Sequence, residues 1–87
     1  MALVFVPAQL RDLTQGQARC EVYATTVAEA VAALEARFPG VRERLCRDNE
    51  LMPGLQVSID HVMSGRGMRA KLGPTSELHF LPAIGGG

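Results

Sequence analysis

Residues 26–40, TVAEAVAALEARFPG, contain the clearest structural signal in the sequence. Thr26 is followed three residues later by Glu29, which is the spacing of a helix-capping box. Apolar residues then recur at helical spacing: Val27, Ala30, Val31, Leu34 and Phe38. Pro39 disfavours helical backbone in the residue before it, and Gly40 adopts the left-handed conformation common at helix ends. The stretch predicts one amphipathic helix with a single apolar face.

The segments on either side of this helix have the composition of strands. Four segments qualify: 2–6, 19–23, 55–61 and 77–81. The first is β-branched and aromatic and ends at Pro7, and residues 55–61 alternate polar and apolar over their whole length. Between them, 41–47 predicts a helical turn or two, 48–54 and 64–67 predict loops, and 68–72 is ambiguous.

A single helix and several short strands must bury their apolar faces against each other. We therefore predict an α+β roll, in which one sheet packs against the helix. The predicted core residues of the sheet are Val4, Val6, Val22, Val57, Ile59, Leu78 and Phe80. Those of the helix are Val31, Leu34 and Phe38.

The size and charge of the chain narrow the classes of function. It has 87 residues, with nine Lys and Arg against nine Asp and Glu. A domain of this size has little room for a deep catalytic cleft. Balanced charge provides no basic field for nucleic acid or an anionic membrane, and no apolar run approaches the roughly 18 residues of a membrane span. We expect no membrane or nucleic-acid partner and no processing of the N-terminus.

The cysteines and histidines do not form a recognisable reactive motif. Cys20 and Cys46 stand far apart, which fits neither a redox pair nor a zinc site, so we expect two buried thiols in a reducing, cytoplasmic setting. His61 and His79 have no neighbouring nucleophile at a known spacing. We expect structural or surface histidines and no metal site.

The last five residues, AIGGG at 83–87, cannot form a helix or strand that packs. Glycines lose the most conformational freedom on ordering, so we expect a domain over 1–82 followed by a flexible tail over 83–87. Such a tail presents the α-carboxylate on a thin tether. A carboxylate becomes a good acyl donor only once activated, for example as an acyl-adenylate, after which sulfide, a thiol or an amine can take the acyl group.

Three segments resemble the ubiquitin-like sulfur-carrier family of MoaD, ThiS and CysO. They are VFVPAQLR at 4–11, LEARFPGVRERL at 34–45 and LPAI at 81–84, directly before the glycines. The resemblance covers almost the whole chain and implies a β-grasp, ubiquitin-like fold with a mixed sheet of four to five strands. One segment departs from the family, because its acidic turn before the last strand is replaced by GPTSE at 73–77.

The resemblance also assigns a role to the tail. Gly85 takes the variable position of the family's ending, and Gly86 and Gly87 take the diglycine, so Gly87 is the residue to be activated. The approach to it is formed by Leu81, Pro82, Ala83, Ile84 and Gly85. The family implies that an ATP-dependent adenylyltransferase of the MoeB or ThiF type activates this carboxylate and that a sulfur donor converts it to a thiocarboxylate. The chain itself would then be a carrier with no bound cofactor and not an enzyme, since ATP is used by the activating enzyme.

The destination of the sulfur has more than one candidate. A CysO-like route to cysteine, through a cysteine-synthase-type enzyme, is favoured by the resemblance of 34–45 and 81–84. The alternative is the small subunit of molybdopterin synthase. A modifier attached to protein lysines and a small interaction domain with an idle tail are further alternatives.

Strand parity predicts a surface for the partner enzyme. If Val4 and Val6 face the core, Phe5 points to the uncovered face of the sheet, and Leu81 on the last strand does the same. In the family this face docks on the activating enzyme. The candidate partner residues are Phe5, Met63 and Leu81.

Overall fold

A computed structural model of the chain describes residues 1–82. Its strands are β1 Ala2–Phe5, β2 Arg19–Val22, β3 Cys46–Arg47, β4 Glu50–Leu51, β5 Leu55–Ile59, β6 Val62–Ser64 and β7 Glu77–Pro82. Its helices are α1 Val27–Arg37 and α2 Val41–Leu45, and two short 3-10 turns cover Ala8–Leu10 and Gly67–Arg69. No helix in this part of the chain is long and apolar enough to cross a membrane.

The main sheet has five strands in the order β2-β1-β7-β5-β6, and β3 and β4 form a separate two-stranded ribbon. β1 and β7 are parallel, whereas the other neighbours are antiparallel. The sheet is therefore mixed, as predicted. The described part of the chain ends with β7, which lies in the middle of the sheet.

The capping box at the start of α1 is formed. The Glu29 N–H donates to Thr26 Oγ1 at 3.2 Å, and Glu29 Oε1 accepts from the N–H and the hydroxyl of Thr25 at 2.7 and 2.8 Å. The carboxylate thus reaches one residue beyond the cap. These hydrogen bonds favour the charged form and lower the pKa of Glu29.

The end of α1 is joined to α2 by a second carboxylate. Gly40 has φ of 104°, a conformation that glycine adopts without strain. Glu35 Oε1 accepts from the N–H of Arg42 at 2.9 Å and from that of Gly40 at 3.2 Å, and this lowers the pKa of Glu35. Glu35 therefore satisfies backbone donors at the start of α2.

The core lies between α1 and one face of the sheet. All of the predicted core residues are buried except Ile59, which is half-buried and packs against the cluster. Leu78 on β7 and Val4 on β1 are completely buried. The apolar faces that were predicted from helical spacing in α1 and from alternation in the strands are therefore confirmed.

Two tight turns correct the predicted element boundaries. β5 ends at Ile59, because Asp60 and His61 have φ of 53° and 70° and turn the chain into β6. Asp48 and Asn49, with φ of 55° and 66°, likewise connect β3 to β4 inside the predicted loop 48–54. Asp and Asn tolerate left-handed backbone, which two-residue hairpins require at both positions. The prediction of one strand over 55–61 was wrong for this reason.

The structure also replaces the assignments predicted for residues 64–72. Ser64 ends β6 rather than belonging to the predicted loop 64–67, and a 3-10 turn over Gly67–Arg69 connects the end of that loop to the ambiguous stretch 68–72. Lys71 then forms a single bridge with Thr26, beside the start of α1.

Candidate functional site at the end of the last strand

The end of β7 is held by the neighbouring strands. His79 pairs with Phe5 of β1, and Leu81 and Pro82 pair with Gln56 and Leu55 of β5. Pro82 lacks an N–H, so it is suited to a position where pairing stops. The tail residues singled out from the sequence, Ala83, Ile84, Gly85, Gly86 and Gly87, lie outside the described residues.

The turn before β7 is organised by Asp60. Its Oδ1 accepts from the Glu77 N–H at 2.9 Å, and its Oδ2 accepts from the Ser76 hydroxyl at 3.1 Å. The Ser76 Oγ in turn accepts from the Gly73 N–H at 2.8 Å. The sequence departs from the family's acidic turn here, yet a carboxylate from the β5–β6 turn fixes the start of β7. The register of the strand that leads to the tail is thereby set.

The face of the sheet opposite α1, which we call the open face, carries one continuous row of side chains. In register across the five strands this row consists of Arg19, Phe5, His79, Ser58 and Met63. Leu81 lies one step further along β7 on the same face. The sequence-predicted partner residues therefore share one face of the sheet.

The centre of the open face is a stacked pair of rings. The centroids of Phe5 and His79 are 4.1 Å apart, with an interplanar angle of 9°. The stack covers part of the Phe5 ring, and Phe5 is half-buried. The sequence, by contrast, predicted an exposed side chain on the uncovered face. Met63 and Leu81 are 50% and 36% exposed. The face thus combines a stacked aromatic centre with more accessible aliphatic side chains.

Both histidines belong to this face. His61 lies 5.9 Å from His79 between ring centroids, and its Nε2 lies 3.5 Å from a Glu77 carboxylate oxygen. The Nδ1 of His79 is buried and has no hydrogen-bond partner in the described part of the chain. The sequence assigned neither histidine a role, and the pairing of β1 with β7 that brings His79 beside Phe5 is visible only in the structure.

One border of the open face is basic. Arg11 and Arg19 line a groove beside Phe5, together with Pro7 and Ala18. The Arg11 guanidinium is 3.5 Å from the Val6 carbonyl oxygen, which places its positive charge at the end of β1. An acidic surface would complement this border.

The two thiols are unsuited to sulfur chemistry at the surface. Cys20 and Cys46 are both buried and free. Burial raises the pKa of each thiol, and the charges of Arg37 near Cys20 and Arg42 near Cys46 offset this only in part. The reactive thiolate is therefore disfavoured at neutral pH. Within residues 1–82 no group of three His, Cys, Asp or Glu side chains could hold a metal ion.

A mixed five-stranded sheet crossed by one main helix, with the last strand central and leading to the terminus, defines a β-grasp, ubiquitin-like protein. The model of the ThiS family matches residues 4–87, which includes the terminal glycines. The chain belongs to the ThiS family of ubiquitin-like sulfur carriers and modifiers.

Solved structures agree with this assignment. A chain of the Amycolatopsis orientalis BexX/CysO complex is similar over 100% of both chains, with 30% identity and a TM-score of 0.88. CysO of Mycobacterium tuberculosis is 22% identical over 97% of this chain and 100% of its own, with a TM-score of 0.85. SAMP1 from Haloferax volcanii is 22% identical over 99% of this chain and 98% of its own, with a TM-score of 0.71. The comparison with curated proteins gives no significant match.

Proposed function

We propose that this protein carries sulfur as a C-terminal thiocarboxylate on Gly87. The observation that carries the proposal is the position of β7: a central strand, fixed in register by Asp60, leads directly into a tail that ends in glycines. The match to the ThiS family extends through that tail to residue 87, which supports the same role.

The chemistry requires two steps at one carboxyl group. In the first, a carboxylate oxygen of Gly87 attacks the α-phosphorus of ATP, and the acyl-adenylate forms as pyrophosphate leaves. In the second, a sulfide equivalent attacks the acyl carbon, and AMP leaves with the oxygen. Neither cysteine is suited to supply the sulfur, because both thiols are buried and burial raises the pKa of each. In this proposal the chain is the substrate of an activating enzyme, an adenylyltransferase of the MoeB or ThiF type, and a separate donor supplies the sulfur.

The open face is proposed as the surface that docks on this enzyme. The stacked rings of Phe5 and His79 form its centre, and Leu81 and Met63 provide apolar area that can be buried. Aromatic anchors at the centre of an interface carry much of the binding energy. The basic border at Arg11 and Arg19 favours an enzyme surface that presents carboxylates there. A related chain from A. orientalis is found in a complex with BexX, which supports partner binding by proteins of this fold.

For the sulfur itself, we favour a CysO-like route to cysteine, in which a cysteine-synthase-type enzyme takes sulfur onto an activated serine. The 30% identity to a chain of the BexX/CysO complex supports this choice. The alternative is delivery to the large subunit of molybdopterin synthase. A modifier role is the second alternative, and Lys71 would be the only side-chain acceptor for conjugation of this chain to itself.

The primary test is intact-mass spectrometry of the chain after incubation with ATP, sulfide and an activating enzyme shown to be active on another carrier. We expect the mass gain of one oxygen replaced by one sulfur, located by fragmentation at Gly87. A variant lacking Gly86 and Gly87 should show no gain, yet melt close to the wild type because glycines have no side chain to contribute to a core. The proposal would be refuted if an activating enzyme encoded in the same genome as this chain, and shown to be active on another carrier, produced no mass gain.

The candidate routes are distinguished by which acceptor enzyme takes the sulfur from the thiocarboxylate. The purified thiocarboxylate is offered to a cysteine synthase with an activated serine, and in parallel to a molybdopterin synthase large subunit with its sulfur-free precursor. Formation of cysteine supports the favoured route, and transfer only in the second reaction supports the alternative. Isopeptide-linked conjugates on cellular lysines, with no transfer to either acceptor, would assign the modifier role instead.

A further inference from the structure

Two grooves meet beside the end of β7. One carries Arg11 and Arg19 and forms the basic border of the open face. The other carries Arg44 of α2 and is walled in part by Leu55, which pairs with the last described residue, Pro82. The two grooves share three lining residues: Pro7, Ala8 and Phe80. They therefore form one continuous surface, with three arginines on it, which we call the β7-end surface.

The arginines of this surface are available to a partner. In the described part of the chain the one ion pair joins His61 to Glu77, so none of the three has a carboxylate partner there. All three side chains are exposed. Arg44 Nη2 donates to the Gln9 carbonyl oxygen at 3.0 Å, which holds the side chain against the 3-10 turn. A guanidinium has five N–H donors, so this contact leaves most of them free.

The positive charge of the β7-end surface is not neutralised by its own walls. Among the described residues that line the two grooves, none is acidic. Asp12 and Glu43 are each next in sequence to one of the arginines, but neither lines a groove. A third cavity, beside the β3–β4 ribbon, also carries two arginines, yet Asp48 and Glu50 line it as well. Only the β7-end surface thus combines clustered arginines with walls that carry no acid.

The length of the chain beyond β7 determines which partner reaches this surface. Residues 83–87 follow Pro82, and five extended residues span at most about 18 Å. An enzyme that acts on Gly87 must therefore come within that distance of Pro82. Because the β7-end surface lies directly beside Pro82, it faces the enzyme around the point where the tail enters.

We propose that the activating enzyme places a carboxylate-bearing segment on the β7-end surface, with one acidic side chain on Arg44 and others on Arg11 and Arg19. This inference rests on the proposed activation of Gly87 and adds the chemistry of the partner beside the tail. A carboxylate accepts two parallel N–H bonds from one guanidinium, which fixes orientation as well as providing attraction. Protein carboxylates are favoured over the phosphates of ATP, because the adenylate forms on Gly87, five residues beyond β7.

The test measures the dissociation constant of the complex between the full chain and a purified MoeB- or ThiF-type enzyme from the same genome, by calorimetry without ATP. We expect Arg44→Glu to weaken binding by about tenfold or more, because an attractive charge pair becomes repulsive. Arg47→Glu is the matched control: it makes the same charge change at an exposed arginine that lines neither groove, and should change the constant by less than about twofold. The difference between the two variants should shrink at high salt.

Two further variants separate the charge of Arg44 from its contact with Gln9. Arg44→Lys keeps the charge without the bidentate geometry, so it should weaken binding less than Arg44→Glu. Arg19→Glu reverses a second charge of the same surface, away from the Gln9 contact, and should weaken binding with the same salt dependence. Equal weakening by Arg44→Lys and Arg44→Glu would assign the effect to the Gln9 contact and overturn the proposal.

The proposal is also overturned if neither Arg44→Glu nor Arg19→Glu weakens binding. An effect that appears only when ATP is added would assign the arginines to the nucleotide, with the same consequence. These outcomes are distinct from failure of the proposed function. A chain that gains sulfur although neither variant weakens binding refutes only the acidic partner segment, whereas salt-sensitive binding that depends on Arg44, without any mass gain, refutes only the thiocarboxylate.

Discussion

The imidazole of His79 lies nearly parallel to the ring of Phe5, with their centroids 4.1 Å apart, on neighbouring parallel strands of the sheet. This stack holds both rings in one orientation on the open face. A side chain that is already ordered loses less conformational entropy when a partner binds, so the stack pre-organises the proposed docking surface.

Replacing the aromatic anchor should impair activation more than folding. We expect Phe5→Ser to lower kcat/KM of the activating enzyme for this chain by about tenfold or more, because a central aromatic contact is lost. The measurement is the rate of ATP-dependent pyrophosphate release at varied carrier concentration. Tyr23→Ser is the matched control: it removes a more exposed ring next to the Ala2–Val22 pair, at the opposite end of β1 from Phe5, and should leave the rate unchanged. Equal rates for both variants would show that the open face does not dock.

Replacing the unpartnered histidine should stabilise the domain. The buried Nδ1 of His79 has lost water without gaining a hydrogen bond within the described residues. His79→Phe keeps the stack on Phe5 and removes the nitrogen, so we expect the free energy of unfolding to rise by about 1 kcal/mol. Urea denaturation measures this change. His61→Phe, at a side chain 79% exposed, should have a smaller effect, and destabilisation by His79→Phe would mean that the nitrogen is satisfied in solution.

Removing the Asp60 carboxylate should loosen the start of β7. Asp60→Gly keeps the positive φ without strain but removes the acceptors for Ser76 and Glu77, and we expect a loss of about 1–3 kcal/mol in stability. Hydrogen exchange should quicken at the Glu77 amide in particular. Asp60→Asn retains one carbonyl acceptor and tolerates the same backbone, so its stability should lie between those of the wild type and Asp60→Gly. An unchanged Glu77 amide in Asp60→Gly would contradict the assignment.

The carboxylates at the two ends of α1 should make stability depend on acid pH. The pKa values of Glu29 and Glu35 are lowered in the folded state by backbone hydrogen bonds. The folded state therefore binds fewer protons than the unfolded state in this range. Their contribution is present above the ordinary glutamate pKa and is lost as the pH falls through the lowered folded values.

The double variant Glu29→Gln with Glu35→Gln should show a shallower fall in the free energy of unfolding between neutral and acid pH. Glu43→Gln, at an exposed carboxylate outside both capping arrangements, should retain the wild-type slope. Urea titrations at a series of pH values measure the slopes. Identical slopes for wild type and double variant would show that these carboxylates do not couple folding to pH.

Local patterns predicted α1 and much of the core correctly. The cap formed by Thr26 and Glu29 depends on two residues three apart in the sequence. The burial of Leu34 and Val57 follows from the spacing of apolar residues along a single helix or strand. The role of the glycine ending at residues 85–87 could also be predicted without knowing the fold, because it depends on the absence of side chains in those residues. The family resemblance, carried by three short segments, was likewise confirmed.

The order of the strands and the composition of the open face were decided only by the tertiary structure. The stack of Phe5 on His79, the half-burial of Phe5 and the Asp60 bonds to the turn before β7 each join residues distant in sequence. The turn at Asp60 and His61 was missed because alternation continues through it, although the backbone there is left-handed. Periodicity records which way a side chain points, but pairing between distant strands determines which side chain it meets, and that pairing is fixed by packing of the whole domain.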